Sequence, residues 1–192
     1  EIGVCMRKVL ASVALAAALA APGFAYADEA EAGDLKLSIG ADFVSSYVFR
    51  GYEQQDSGYI VQPFAQVAVV AYSSDQLTIT PYIGNWASIH ERGEPGDGHF
   101  YEDDIYAGID FEFNYFTLGL IYTWYTSPDD AFEDIKEIGI KLSYDDSREA
   151  EGLGLPFQLN PYIGWYFETS DKGGPQDQYV EIGISPSFEI AN

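Results

Sequence analysis

The chain has 192 residues, with 31 acidic against 9 basic side chains and a formal net charge of -22. This length allows one domain, and the charge argues against a nucleic-acid-binding protein, because such proteins use basic patches to displace phosphate counterions. The acidity itself leaves two interpretations open, a solvated soluble surface and a role that involves cations.

The N-terminal residues have the order of a secretory signal peptide. Residues 1–5 precede the first methionine and are interpreted as upstream read-through. Within residues 6–27, Arg7 and Lys8 supply the positive start, an apolar run follows, and a small-x-small site ends at Ala27. The apolar run is too short for a transmembrane helix, and the alternative is a buried N-terminal helix. We expect cleavage after Ala27, which also removes the chain's one cysteine and with it any thiol ligand for a metal.

The predicted β domain spans residues 35–192 and follows an acidic lead-in, residues 28–34, that we expect to be disordered. Its first strand is predicted over residues 35–51, where odd positions are almost wholly apolar and even positions are mostly polar or small. Because a strand sends successive side chains to opposite faces, this alternation indicates an amphipathic strand. Strands in soluble domains usually have about 5–6 residues, whereas a tilted membrane-spanning strand needs roughly 9–11.

Further alternating segments follow, and no segment past residue 34 is predicted to be helical. They cover residues 60–72, 77–90, 102–113, 116–126, 135–144, 157–168 and 179–190. Long polar connections follow the odd-numbered strands and tight turns follow the second and fourth, with the long connection after the sixth as an exception. A meander with long loops at one end and tight turns at the other is typical of outer-membrane barrels. The sequence therefore predicts an all-β fold, an up-and-down antiparallel transmembrane β-barrel with about eight strands present.

The end of the chain departs from the pattern of a complete barrel. Such barrels commonly finish on an aromatic residue that the assembly machinery reads, whereas this chain stops at Asn192. We therefore expect that C-terminal hairpins are missing and that the whole barrel has roughly 10–12 strands. The strand number matters, because an eight-stranded barrel is filled by side chains and only a larger one leaves an aqueous channel.

The two faces of the predicted strands differ in composition. The non-apolar face carries glycines beside tyrosines, for example Gly84 near Tyr82 and Gly108 near Tyr106. This mixture suits a cramped, curved interior better than an open solvated surface. The charged residues predicted to line this lumen are Lys36, Asp42, Arg50, Asp110, Glu112, Glu137, Lys141, Glu168 and Glu181. The apolar face is then assigned to lipid, with a soluble tyrosine-rich β-barrel as the alternative.

The stretch FVSSYVFRGYEQQDSGYIVQP, residues 43–63, resembles the opening of the TorF-like porin family of Gram-negative outer-membrane β-barrel proteins. The likeness consists of an S-x-Y-x-F-R-G motif at residues 45–51, a polar loop with Gln54, Gln55 and Asp56, and Gln62 in the following strand. The resemblance implies an outer-membrane barrel and a pore. It supplies no catalytic or binding residues.

Few residues could carry chemistry, and we predict no enzyme activity, no catalytic residue, no cofactor and no metal site. His90 and His99 with neighbouring acids are a metal alternative, although two histidines on a loop are usually solvated. The loop acids Asp129, Asp130, Glu133 and Asp134 lack the spacing of a calcium loop. Ser88 beside His90 is a pair that a lipid hydrolase could use, but no third member is evident.

The functions compatible with these patterns come from three classes. The first is a porin for passive diffusion of small polar or cationic solutes in the bacterial outer membrane, with outer-membrane lipid and the barrel-assembly machinery as partners. The alternative is a filled, non-channel barrel with a structural or adhesive, loop-displaying role, and a membrane-embedded lipid hydrolase ranks last. Arg50 is expected to form a structural ion pair with an interior acid such as Asp110 or Glu112.

Overall fold

A computed structural model describes residues 32–91, 99–170 and 176–188. The predicted read-through, the signal peptide, most of the acidic lead-in and the end of the last predicted strand lie outside these described residues. The described chain is mostly β-structure with one short helix. This confirms the all-β, antiparallel part of the prediction.

The described strands and helix follow one another along the chain, and their bounds agree closely with most of the predicted segments. The strands are β1 Leu35–Val44, β2 Tyr47–Phe49, β3 Tyr52–Gln55, β4 Ile60–Val69, β5 Tyr72–Ser73, β6 Thr78–His90, β7 Phe100–Phe113, β8 Phe116–Thr126, β9 Ile135–Tyr144, β10 Phe157–Gln158, β11 Pro161–Glu168, β12 Gln178–Ile184 and β13 Ser187–Phe188, and helix α1 is Ser147–Leu153. No helix in the described part of the chain has the length and apolar character to span a membrane.

The long strands form one antiparallel meander in the order β1-β4-β6-β7-β8-β9-β11-β12, with the short β5 paired to β6. Two separate two-stranded ladders, β2–β3 and β10–β13, lie off this path. Among the described residues no ladder joins β1 to β12, so these two strands are the edges of the meander.

Apolar and polar side chains are distributed over the meander in the reverse of the arrangement in a soluble protein. On one side, which we call the outer face, large apolar side chains are exposed: Ile39 by 74%, Ile140 by 42% and Ile182 by 81%. The other side, the inner face, buries polar groups such as Gln66 and Asp104. Because a buried polar group costs free energy unless it is paired, the contacts of the inner face carry much of what the fold must satisfy.

The first predicted strand, residues 35–51, is wrong in its extent. β1 ends at Val44, where it pairs with Ile60 at the start of β4. The chain then leaves the sheet, and β2 pairs with β3 as a separate hairpin. Alternation continues through β1 and β2 alike, so the periodicity does not mark the residue at which the ladder ends.

The prediction that no helix follows residue 34 is also wrong, because α1 lies in the long connection after β9. Seven residues are too few for a helical period to be visible in the sequence. The signal that could have identified it is Gly154, which ends the helix in the left-handed conformation with φ of 66°. The predicted strand 157–168 is divided as well, since β10 pairs with β13 and β11 begins only at Pro161.

Asp146, just before α1, ties the two ends of this connection together. Its carboxylate accepts hydrogen bonds from the backbone N–H groups of Asn160 and Leu159, at 2.8 and 3.0 Å. These donors stabilise the charged form and therefore hold the pKa of Asp146 below its ordinary value.

Tyrosine rings lie directly on glycines of neighbouring strands on the inner face. A Cβ on Gly108 would lie 2.4 Å from the Tyr82 ring and 2.6 Å from the carbonyl oxygen of Leu120. A Cβ on Gly84 would lie 2.4 Å from the Tyr106 ring, and the two tyrosine rings meet edge to face at 6.3 Å. The predicted mixture of glycine and tyrosine is thus a packing arrangement in which missing side chains make room for rings.

We predict that Gly108→Ala destabilises the fold by about 1–3 kcal/mol, because the new methyl group meets a stiff ring and a backbone oxygen that cannot both move away. Urea unfolding of the refolded protein would measure this loss. The control is Gly152→Ala in α1, where no atom lies within 4 Å of the new Cβ. An alanine in a helix is no worse than glycine, so an equal loss in both variants would contradict the packing argument.

Acid should loosen the connection that Asp146 closes. A carboxyl whose folded pKa is lowered contributes stability above its unfolded pKa, and this contribution is lost as the pH falls through the lower folded value. We therefore expect hydrogen-exchange protection of the Leu159 and Asn160 amides to decrease as the carboxylate is protonated. Asp146→Ala should remove that protection at neutral pH, and unchanged exchange in this variant would show that other contacts hold the connection.

Candidate functional site

The hairpin of β2 and β3, which we call the inner hairpin, lies across the inner face of the meander. It leaves the sheet at the end of β1 and returns to it at the start of β4. Its side chains contact all the other long strands of the meander, β6 to β9, β11 and β12. The contacts are Tyr47 with Trp86 of β6 and Glu102 of β7, Phe49 with Tyr125 of β8, and Arg50 with Glu137 of β9, Tyr166 of β11 and Tyr179 of β12. Its backbone ladder is its own, so side chains are what hold it to the meander.

Arg50, at the tip of the inner hairpin, forms a bidentate ion pair with Glu137. Both nitrogen–oxygen distances are 2.7 Å, and the two side chains are 20% and 6% exposed. The guanidinium also lies 4.4 Å from the ring centroid of Tyr179 and 5.1 Å from that of Tyr166. A planar guanidinium suits both the forked carboxylate contact and the aromatic faces. Removal of either partner would leave the other charge enclosed without its counter-charge.

The turn that presents Arg50 has a conformational cost. Arg50 has φ of 49° and Gly51 has φ of 86°, and positive values at both central positions are the mark of a type I′ hairpin turn. Asn-Gly or Asp-Gly is the usual pair in such a turn, and a side chain with a Cβ loses about 1–2 kcal/mol in the left-handed region. The arginine is therefore better explained by its contacts than by the turn.

The reach of the inner hairpin requires the meander to curl. In a flat sheet, seven spacings of about 4.8 Å would place β12 about 34 Å from β1. Six residues separate Val44 from Arg50, and six residues span at most about 22 Å even when fully extended. A curved meander is what brings Tyr179 of β12 within 4.4 Å of the Arg50 guanidinium.

A second set of contacts lies at the base of the inner hairpin. The Tyr47 hydroxyl donates a hydrogen bond to Glu102 Oε2 at 2.8 Å, and both side chains are buried. The fully buried Asp104 lies two residues along β7, against the Glu102 carboxyl. Neither Asp104 oxygen accepts a hydrogen bond from an N–H or O–H group of the described residues. Two ionised carboxylates have no hydrogen to share, so this pair concentrates negative charge that a proton or a cation would neutralise.

Ser88 and His90 share a face, as expected, with Ser88 Oγ 2.8 Å from His90 Nε2. Both side chains are fully buried. The His90 ring stacks on Tyr101 at 4.4 Å, and the amide of Gln62 donates to Ser88 Oγ at 3.3 Å. This enclosure leaves an ester substrate no approach to the serine in the observed conformation, so the pair belongs to the structural polar cluster. The absence of enzyme activity stays a prediction.

The structure places the residues predicted to line a lumen on the inner face by register, apart from Arg50 on the inner hairpin. Lys36, Asp110, Lys141, Glu168 and Glu181 are half-buried, Glu137 is buried, and Asp42 and Glu112 are exposed. Lys141 lies 4.0 Å from the ring centroid of Tyr162, and Glu181 accepts a hydrogen bond from the Tyr166 hydroxyl. Their role in lining a lumen stays a prediction.

Arg50 forms the expected ion pair with an interior acid, but the acid is Glu137 and neither of the two named examples. Asp110 and Glu112 lie near the tight-turn end of β7, whereas the inner hairpin enters from the opposite end of the meander and meets Glu137 near the start of β9. The alternation of a strand identifies the face that a residue occupies, but it gives no height or distance across the inner face. Nothing in the pattern therefore distinguished Glu137 from the other inner acids.

Metal binding finds no support in the described ranges, where no group of three or more His, Cys, Asp or Glu side chains could hold an ion. The imidazole of His99 meets the backbone carbonyl of His90 at 3.0 Å. Of the loop acids, Asp129 accepts a hydrogen bond from Ser127 Oγ and Asp134 accepts one from the Trp124 indole.

The sequence analysis did not identify Tyr47, Glu102 and Asp104 as a group. The parity of the fourth predicted strand could have placed both acids on the inner face. Tyr47 and Glu102, however, are 55 residues apart, and no local pattern connects them.

Comparison of the chain with protein-family models, curated proteins and solved structures gave no match. Its function is therefore argued from its own residues.

We predict that Asp104→Asn stabilises the fold by about 1–3 kcal/mol, because the amide can donate to Glu102 and removes an enclosed charge that lacks a donor. Urea unfolding would measure the change. Asp75→Asn makes the same chemical change in an exposed turn and should have little effect. A loss of stability in Asp104→Asn would show that the charged carboxylate is compensated in the native fold.

Proposed function

We propose that the chain is an outer-membrane β-barrel that lets small polar or cationic solutes diffuse passively through its interior. The observation that carries the proposal is the reversed distribution of side chains, with isoleucine and other apolar residues exposed and glutamine, threonine and carboxylates buried. A hydrocarbon surround makes the exposed apolar face favourable, and a wet interior makes the enclosed polar groups tolerable.

Closure of the meander follows from the same proposal. Lipid has no groups that could satisfy the free N–H and C=O groups of an edge strand, so only a closed ladder can span the hydrocarbon. The described edges β1 and β12 would then pair with each other or with further strands. The curvature required by the Arg50–Tyr179 contact supports this, since it turns the last strand back toward the first.

The preference for cations comes from the charges of the inner face. Asp42 and Glu112 are exposed acids of the inner face, while Arg50 is already neutralised by Glu137. A cleft of one charge sign with low-dielectric walls attracts counter-ions and repels ions of its own sign. The conduit would therefore favour cations and neutral polar solutes over anions.

A second candidate is a filled barrel that conducts nothing and serves a structural or loop-displaying role. The observation in its favour is the packing of Tyr82 and Tyr106 onto glycines of the neighbouring strands, which occupies the inner face with rings. Eight-stranded barrels are generally filled by side chains in this way.

Planar-bilayer recordings of the refolded protein separate the two candidates. We expect single channels whose reversal potential in a potassium chloride gradient shows cation preference. Glu112→Gln should lower the cation-over-anion permeability ratio by about twofold or more, because it removes one of the exposed inner-face charges that attract cations. The surface variant Asp75→Asn should leave the ratio unchanged. Anion preference would overturn the proposal, and silent bilayers together with vesicles impermeable to small sugars would favour the filled barrel.

A further inference from the structure

The inner hairpin has three properties that distinguish it from the strands of the meander. It crosses the inner face from the β1–β4 side to β9, β11 and β12. It has no backbone ladder to the meander, so its movement would break none of the backbone hydrogen bonds between the strands of the meander. Its far end is held by the charged tip, Arg50, which sits in a conformation that side chains rarely adopt. A hairpin that lies across the inner face and is anchored at its tip by an ion pair has the arrangement of a plug with a latch.

We propose that the inner hairpin is a movable plug, held in the closed position by the Arg50–Glu137 latch. The inference rests on the proposed function as a conduit, and it adds the element that regulates passage. With the latch closed, the hairpin occupies the inner face. With the latch broken, the hairpin swings about its two connections to β1 and β4 and clears the interior.

The connections at both roots of the hairpin suit such a movement. Ser45 and Ser46 join it to β1, and residues 56–59 join it to β4 outside any ladder. Gly58 in the second connection has φ of 76°, a conformation that glycine adopts without strain. The hydrogen bonds along the body of the hairpin are single ones, Tyr47 to Glu102, Tyr101 to Gln54 and Gln55 to the Glu91 carbonyl. The body also makes ring contacts, Tyr47 with Trp86 and Phe49 with Tyr125. The bidentate ion pair at the tip is the contact whose loss would weaken the closed position most.

The first test measures release of the hairpin by a readout that does not depend on conduction. Trypsin cuts after arginine, and the Arg50 side chain is largely enclosed and engaged by Glu137 in the closed position. The protein in lipid nanodiscs would be digested and cleavage of the Arg50–Gly51 bond followed by mass spectrometry. In Glu137→Gln we expect this bond to be cut about tenfold faster or more, because the amide keeps one acceptor oxygen but loses the second and the counter-charge, and because cleavage follows the open population.

Asp110→Asn is the matched control, since it removes one inner-face charge without touching the inner hairpin. Cleavage after Arg148, which is exposed on α1, serves as the reference and should proceed equally in all variants. A rise in Arg50–Gly51 cleavage that is equal in Glu137→Gln and Asp110→Asn would overturn the latch. So would an unchanged rate in both variants.

The second test uses single-channel recording of full-length variants. We expect wild-type channels to be closed for most of the record, Glu137→Gln channels to be open for a larger fraction of it, and channels of the exposed-turn variant Asp75→Asn to resemble wild type. Replacement of residues 46–57 by a short glycine-serine linker should hold the channel open. Equal open fractions in all variants would overturn the plug while leaving the conduit intact. Faster cleavage of the Arg50–Gly51 bond in Glu137→Gln, together with no conductance in any variant including the linker variant, would instead overturn the proposed conduit.

Discussion

The Arg50–Glu137 ion pair is the interaction on which the arrangement of the inner face depends. It joins a hairpin that starts at the first strand to a strand near the other end of the meander. Because six residues cannot carry the hairpin across a flat sheet to β12, the neighbouring contact of Arg50 with Tyr179 requires the meander to be curved. In turn, the curved meander with its enclosed polar side provides the low-dielectric surroundings in which a charged pair needs excellent geometry. The two parallel 2.7 Å contacts meet that requirement.

Alternation in the sequence was sufficient to predict most of the meander. Long strands such as β7 and β8 have the expected bounds within about two residues, which is the usual uncertainty of strand ends, and their inner parity is the predicted one. Alternation succeeded because every residue of a paired strand obeys it. It failed at Val44, since β2 continues the same period outside the sheet. It also failed at α1, which is shorter than the window that a helical period requires.

The candidate site was less accessible to the sequence than the fold was. Arg50 and Glu137 were both assigned to the inner face, but they were not matched as partners, because periodicity identifies a face and carries no distance across it. The local signal for the turn is weak as well, since Arg-Gly is not a pair that favours two successive positive φ values. The contacts of Tyr47 with Glu102 and of Arg50 with Glu137 join residues 55 and 87 positions apart. Only the three-dimensional course of the chain reveals them.

Rigidity and mobility are divided between different elements of the inner face. The meander is held by continuous ladders and by tyrosine rings that lie on glycines of neighbouring strands, where a Cβ on the glycine would clash with the ring. Packing of that density resists small displacements of the strands of the meander. The inner hairpin has no ladder to the meander. Its contacts with the meander are side-chain hydrogen bonds, the Arg50–Glu137 ion pair and aromatic ring contacts. Of the two, the inner hairpin is therefore the element that can move without breaking a ladder of the meander, and at its base the Tyr47 hydroxyl donates to the buried Glu102 carboxylate.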